Sequence, residues 1–203
     1  YIELLRSAWR LNSSLAEDQT PFRIVGLNVK QHYEYIQTEE DVENQKKLAQ
    51  VLREGIPDIF MAETIEKEFI DPGLKALIFG NYQRTVTKYR SKLYEENMEQ
   101  SGFSKNDRMG NIVYKKIGDK AFSVFLHSPW TNRGSQTGLA YPVDGILDTL
   151  LERLPEDKQE AGFDVADTVF AKIPIKTGDF TYGYEEVFFR DVCDGYVILG
   201  PIS

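Results

Sequence analysis

The chain of 203 residues has one cysteine, Cys193, so it can form no internal disulfide and must hold itself together by burial. Histidine is nearly as scarce: His32 and His127 are the two in the sequence, which leaves few places for a proton shuttle near neutral pH. Positive charge is short as well. Lys plus Arg number 24 against 32 Asp plus Glu, a net charge of −8, and a field of that sign opposes nucleic acid and anionic membrane as general partners. No apolar run reaches the roughly 18 residues that span a bilayer, so no membrane-spanning segment is expected. No basic-then-apolar leader is present, but the chain opens on Tyr1 rather than Met, and an N-terminal segment of the full-length protein is expected to precede it. "GSQTG" at 134–138 is short for a phosphate-cradling loop and lacks its lysine, and Ser128 has no Gly-x-Ser-x-Gly turn around it.

What is there reads as alternating helices and strands over a single domain, 1–203, with no internal repeat. Ile2, Leu5 and Trp9 sit at helical spacing, and "PFRIVGLNV" follows as a short apolar strand. A helix is predicted from Thr38 to Arg53, opened by Thr38 and Asp41 as a capping box and stopped at Gly55. Asp58 is placed to cap the next, which carries the stripe Met61, Ala62, Ile65 and Phe69 and ends at Gly73. The strand "KALIFG" then leads into a polar stretch, 81–105, read as a long functional loop. Asn106 or Asp107 starts a helix with Met109, Ile112 and Val113, closing at Gly118. In the strand "KAFSVFLHS", Phe122, Val124 and Leu126 fall on one face and Ser123, Phe125 and His127 on the other. A helix through Val143, Leu147, Leu151 and Leu154 and the strands "DTVFAKI" and "GYVILGPI" complete the reading.

This alternation predicts an α/β fold with a mainly parallel central sheet and helices on both faces, because parallel neighbours need crossover connections. Ligands of such sheets sit beyond the carboxyl ends of the strands, so Asn28, Gln83 and His127 are predicted to converge on one crevice.

The order of motifs resembles the erythromycin esterase-like family and its wider relatives, the ChaN-like haem-binding and Tiki-type proteins. The residues that carry the likeness are "WRLNSS" leading to "PFRIVGLNV", then "PDIFMAETI", "DPGLKALIF" and "GNYQ", "RMGNIVYKKIGDKAFSVFLHS" and the terminal "CDGYVIL". In that pattern Asn28 stands where the family has Asp, Pro57 where it has Arg and Gln83 where it has His; its Gly-Glu-x-x-His motif has no counterpart in this chain. What the resemblance implies is a hydrolase acting on esters, with Gln83, Asn28, Asp58 and Glu63 at its catalytic positions; His127 is added as a candidate because it ends a strand at the forecast crevice.

Glutamine cannot change charge and asparagine lacks the carboxylate that orients a histidine, so the expected function is a degenerate or weakly active hydrolase. The alternative is a non-catalytic module that captures a small organic ligand, a haem or a peptide through His32, Asn81, Tyr82, Arg84 and Trp130. A third reading is a structural domain of a larger surface protein. Arg84, Lys88 and Arg90 with Tyr82 and Tyr89 form a basic-aromatic cluster suited to a carboxylate or phosphate. No cofactor is expected; a haem or divalent metal between His32 and His127 is the variant with least support, since no carboxylate or cysteine stands at ligand spacing. The partner predicted is a small molecule, oligomeric state is open, and bacterial cytoplasm and extracytoplasmic space are both compatible.

Overall fold

A computed structural model describes residues 2–100, 107–131 and 138–200. The predicted helices form, and those after the first are shortened where local chemistry interrupts them. Helix α1 covers Ile2–Ser13. The next region is a 3-10 turn, Glu39–Glu43, followed by α2, Gln45–Val51, because Asn44 breaks the run and caps α2 by accepting from the Lys46 and Lys47 amides. Helix α3, Pro57–Ile65, starts on a proline in the first turn, where its missing N–H costs nothing, and loosens into a π turn over Glu66–Ile70. The stretch from 81 onward is not one long loop: it contains α4, Tyr82–Thr85, capped by the Asn81 side chain, and α5, Lys92–Gln100.

Helix α6, Met109–Ile117, begins at Arg108, whose amide donates to the Asn111 side chain, and ends at Gly118, which takes a positive φ (57°) that favours glycine. The cap sought at Asn106 lies outside the described residues. Strands β1, Val124–Leu126, β2, Trp130–Thr131, and β3, Leu139–Ala140, precede α7, Ile146–Leu151. After them come β4, Ala161–Asp164, β5, Pro174–Ile175, β6, Val187–Phe188, α8, Phe189–Val192, and β7, Gly195–Ile198. Much of "DTVFAKI", read as a strand, is a 3-10 turn over Val169–Lys172.

The mainly parallel central sheet is not what forms. The described strands make a mixed three-stranded sheet in the order β1-β7-β4 and two antiparallel two-stranded ladders, β2-β3 and β5-β6. β1 runs parallel to β7 with Phe125 opposite Tyr196, and β4 runs antiparallel to β7 with Phe163 opposite Tyr196. The physical reason lies in two apolar segments, 21–29 and 74–80. Neither belongs to a helix or a ladder; in the first, Val25, Leu27 and Val29 turn inward while Phe22, Ile24 and Asn28 are exposed. A parallel sheet needs both segments paired as strands, and neither takes part in a ladder.

Burial falls into two clusters. The larger joins Val86, Tyr89, Phe125, Trp130, Leu147, Phe180, Phe189 and Tyr196 around the mixed sheet, and the smaller packs Met61, Ala62 and Ile65 of α3 against Met109 of α6. Leu27 and Ile78, the inward residues of the two unpaired segments, rest on the smaller cluster. Strand β1 keeps the predicted division of faces: Ser123 and Phe125 are buried, and Phe122, Val124 and Leu126 are exposed.

Cys193 belongs to the larger cluster, and burial pushes its thiol far above the usual range. In native protein at pH 8 this thiol is expected to resist Ellman's reagent, and to yield one equivalent promptly once the chain is unfolded in guanidinium. A prompt full equivalent from the native protein would show that the sheet does not cover it.

Candidate functional site

Most of the residues singled out from the sequence have structural work. Asn28 is exposed on the unpaired segment and, among the described residues, its side chain makes no hydrogen bond. Gln83 Nε2 donates to Asp179 Oδ2 at 3.2 Å. His127 follows β1 with its side chain fully enclosed, Nδ1 3.0 Å from the Tyr196 hydroxyl and Nε2 3.0 Å from Asp148 Oδ1. Among the described residues, no hydrogen bond or ring contact joins any of these three to another.

Asp58 is 2% exposed and does not cap its own helix, whose N-cap is Ile56. It caps α6 instead: Oδ1 accepts from the Met109 amide at 3.0 Å, and Oδ2 from the Tyr94 hydroxyl at 3.2 Å and from Arg108 Nη1 at 3.4 Å. Arg108 also lies over the Tyr94 ring, 3.5 Å from its centroid. Glu63 is exposed on α3. His32 is buried between two carboxylates, Nδ1 2.8 Å from Glu34 and Nε2 2.5 Å from Glu54, and hydrogen bonding to the imidazole lowers both carboxyl pKa values. Its backbone amide bonds Val51 O at 3.0 Å, so it fastens the loop to the end of α2. With both ring nitrogens of each histidine engaged, neither can ligate a metal or haem without giving up a bond. Among the described residues, no cluster of three or more His, Cys, Asp or Glu side chains could hold a metal ion.

The residues expected to touch a ligand divide in the same way. Tyr82 packs its ring against Phe125, Trp130 and Phe180 at 5.5–6.5 Å, and Trp130 is 1% exposed. Trp130 is core, and Tyr82 packs half-buried against it. Asn81 caps α4 through its side chain. Arg84, on α4, has as its polar side-chain partner the Met61 thioether, 3.6 Å away.

The other half of the basic-aromatic cluster does open on solvent. Lys88, Tyr89 and Arg90 form one wall of a cleft of about 370 Å³, and Tyr184, Glu186, Val187, Arg190 and Asp191, from the loop before β6, β6 itself and α8, form the other. Asn111 fixes the first wall by donating from Nδ2 to Thr87 O at 2.9 Å and Tyr89 O at 2.7 Å. The two walls are clasped by the Tyr184 hydroxyl on Arg90 O at 2.6 Å, the Tyr89 hydroxyl on Phe180 O at 2.8 Å, and Lys92 over the Tyr184 ring.

Counter-charges keep the cations in place. Lys88 pairs with Asp194 at 2.6 Å, which raises its pKa, and Arg90 pairs with Glu95 at 3.0 Å and Asp107 at 2.8 Å. Arg190 is held least, by Asp191 at 3.9 Å and the face of Phe188. Burial pushes the Tyr184 hydroxyl up, so it stays protonated as a donor. Arg190, Tyr184 and Glu186 were not legible as site residues, because they lie in "GYEEVFFRD", which carries no motif, and only the fold brings it opposite Lys88.

Compared with family models, curated proteins and solved structures, the chain matches none of them. Among the described residues, no helix is long and apolar enough to cross a membrane.

Proposed function

We propose that this chain is a non-catalytic binding module for a small organic anion, a relative of the erythromycin esterase-like and ChaN-like proteins whose hydrolytic groups serve the fold. The observation that carries this reading is the cleft in which Lys88, Arg90 and Arg190 meet beside Tyr184. Guanidinium and ammonium groups there offer charge-assisted hydrogen bonds to a carboxylate or phosphate, and the half-buried Tyr184 ring offers a flat wall for an aromatic or aliphatic body. Arg190 is the side chain best placed to give such bonds, since its own carboxylate partner is at 3.9 Å. Ester hydrolysis has weaker support. Hydrolysis needs a base within reach of a water and a substrate carbonyl, whereas His127 is enclosed and Gln83 has no proton to take up.

The test is calorimetric titration with small aryl carboxylates and with 4-nitrophenyl phosphate. Binding is expected, weakened about tenfold or more by Arg190→Ala, the loss of one charge-assisted contact. Activated esters such as 4-nitrophenyl acetate are expected to turn over no faster than in buffer. Ester turnover that disappears in Gln83→Ala would restore the hydrolase, and anion binding indifferent to Arg190→Ala would remove the cleft from consideration.

A further inference from the structure

The cleft of Lys88, Arg90 and Arg190 also holds a charged group that the fold does not use. Two carboxylates, Glu186 and Asp191, line it. Asp191 has structural work: Oδ2 accepts from the Phe188 amide at 2.7 Å and so caps α8, and Oδ1 lies 3.9 Å from Arg190 Nε. Glu186 has none. Its side chain is exposed just before β6 and, among the described residues, makes no hydrogen bond or ion pair. Glu185, the residue before it, is exposed as well but stands outside the lining of the cleft.

That carboxylate selects among anions. Lys88 is answered by Asp194 and Arg90 by Glu95 and Asp107, which leaves Arg190 the most lightly held cation of the cleft. Glu186 and Arg190 stand on the same wall four residues apart, at most about 14 Å between Cα atoms. A ligand that carries negative charge alone and docks on Arg190 is repelled by Glu186, and protein walls screen that repulsion less than open water does. A ligand with an ammonium beside its carboxylate turns the same repulsion into a charge-assisted hydrogen bond. The rest of this wall is apolar: Val187 is buried, and the half-buried Tyr184 ring has its hydroxyl occupied by Arg90 O. A volume of about 370 Å³ is small for a ligand pocket, whose range is roughly 300–1,000 Å³, and it suits one amino acid rather than a long peptide.

We propose that the ligand of this cleft is a zwitterion, a free amino acid with an aromatic or apolar side chain, which rests on the reading of the cleft as an anion site. Its carboxylate lies on Arg190, its ammonium on Glu186 and its side chain against Tyr184 and Val187. Arg190 then supplies affinity for any carboxylate, and Glu186 supplies the discrimination between an amino acid and a simple acid.

Calorimetric titration of the full chain with L-phenylalanine, hydrocinnamate and phenethylamine separates the contributions, since the second lacks the ammonium of the first and the third lacks its carboxylate. Phenylalanine is expected to bind about tenfold or more tighter than hydrocinnamate, the size of one hydrogen bond between charged groups. Phenethylamine, facing Lys88, Arg90 and Arg190 with no anion of its own, is expected not to bind. Glu186→Gln should bring the two acids together, weakening phenylalanine and strengthening hydrocinnamate, whereas Glu185→Gln, an equal change of net charge outside the cleft, should leave the preference intact. Both glutamates are exposed, so neither variant puts folding at risk. Phenylalanine no tighter than hydrocinnamate, with Arg190→Ala still weakening both, would leave the anion cleft standing and overturn the zwitterion. A preference that survives Glu186→Gln, or that Glu185→Gln abolishes equally, would overturn the role of Glu186. Binding of phenethylamine as tight as that of phenylalanine would do the same for Arg190. If neither acid binds, the anion cleft itself fails and takes this proposal with it.

Discussion

Gly110→Ala is expected to destabilise the protein by about 3 kcal/mol, at the upper end of what overpacking costs. Helix α6 passes so close to the segment entering the cleft wall that a Cβ at position 110 would sit 2.2 Å from the Val86 carbonyl oxygen and 2.8 Å from that of Thr85. Both obstacles are backbone, which cannot rotate aside as a side chain does. The sign is what makes the experiment informative. Inside an isolated helix, alanine is better than glycine by about 1 kcal/mol, so helix propensity alone predicts stabilisation. Urea unfolding distinguishes the two. With a slope of roughly 2 kcal/mol per molar for a chain of this size, the midpoint should fall by about 1.5 M, and a midpoint that rose would refute the contact of α6 with 85–86. Because Asn111 on the next position holds Thr87 O and Tyr89 O, the same substitution should also loosen the cleft and weaken anion binding.

Asp58→Ala should cost about as much, roughly 3 kcal/mol, the lower end for removing one partner of a buried charge pair. Its carboxylate serves the Met109 amide, the Tyr94 hydroxyl and Arg108, all in a site where Asp58 is almost wholly enclosed. Alanine leaves the α6 amide without an acceptor and Arg108 without its counter-ion. Asp58→Asn keeps an oxygen for the amide and should lose about half as much. The Tyr94 hydroxyl, pushed up to about 12 by burial first and by the charge of Asp58 second, reports on the same site. Replacing the charge by asparagine removes the second cause, so the phenol should titrate at lower pH in Asp58→Asn, followed by absorbance of the phenolate. Stability of Asp58→Ala within about 0.5 kcal/mol of the parent, the range of an ordinary surface change, would show that the carboxylate is not the bridge between α3 and α6.

Both residues were visible in the sequence, though neither for the reason the fold gives. Met109-Gly110 was notable as a motif at a helix start, and the need for glycine there comes from Val86, which no local pattern connects to it. Asp58 had the spacing of a helix cap, and it is one, but for α6 rather than α3. His127 fell on the correct face of its strand by simple alternation. Its enclosure by Tyr196 and Asp148 could not be read, because both partners come from distant segments. The basic-aromatic cluster was divided for a similar reason: Tyr82 packs half-buried against the core and Arg84 on Met61, while Lys88 and Arg90 face a wall around Arg190.

The amino-acid order alone determined most of the helical segments, though not α4 and α5, the stop at Gly118, and the inward faces of α3, α6 and β1, because these depend on residues a few positions apart. Tertiary structure decided which apolar segments became paired strands, where the carboxylates of Asp58 and Asp194 were spent, and which cations shared a cleft. Each of those outcomes turns on a partner dozens of residues away. The apolar run 74–80 reads as a strand in its own letters, but those letters do not supply the hydrogen-bonding neighbour that would make it one.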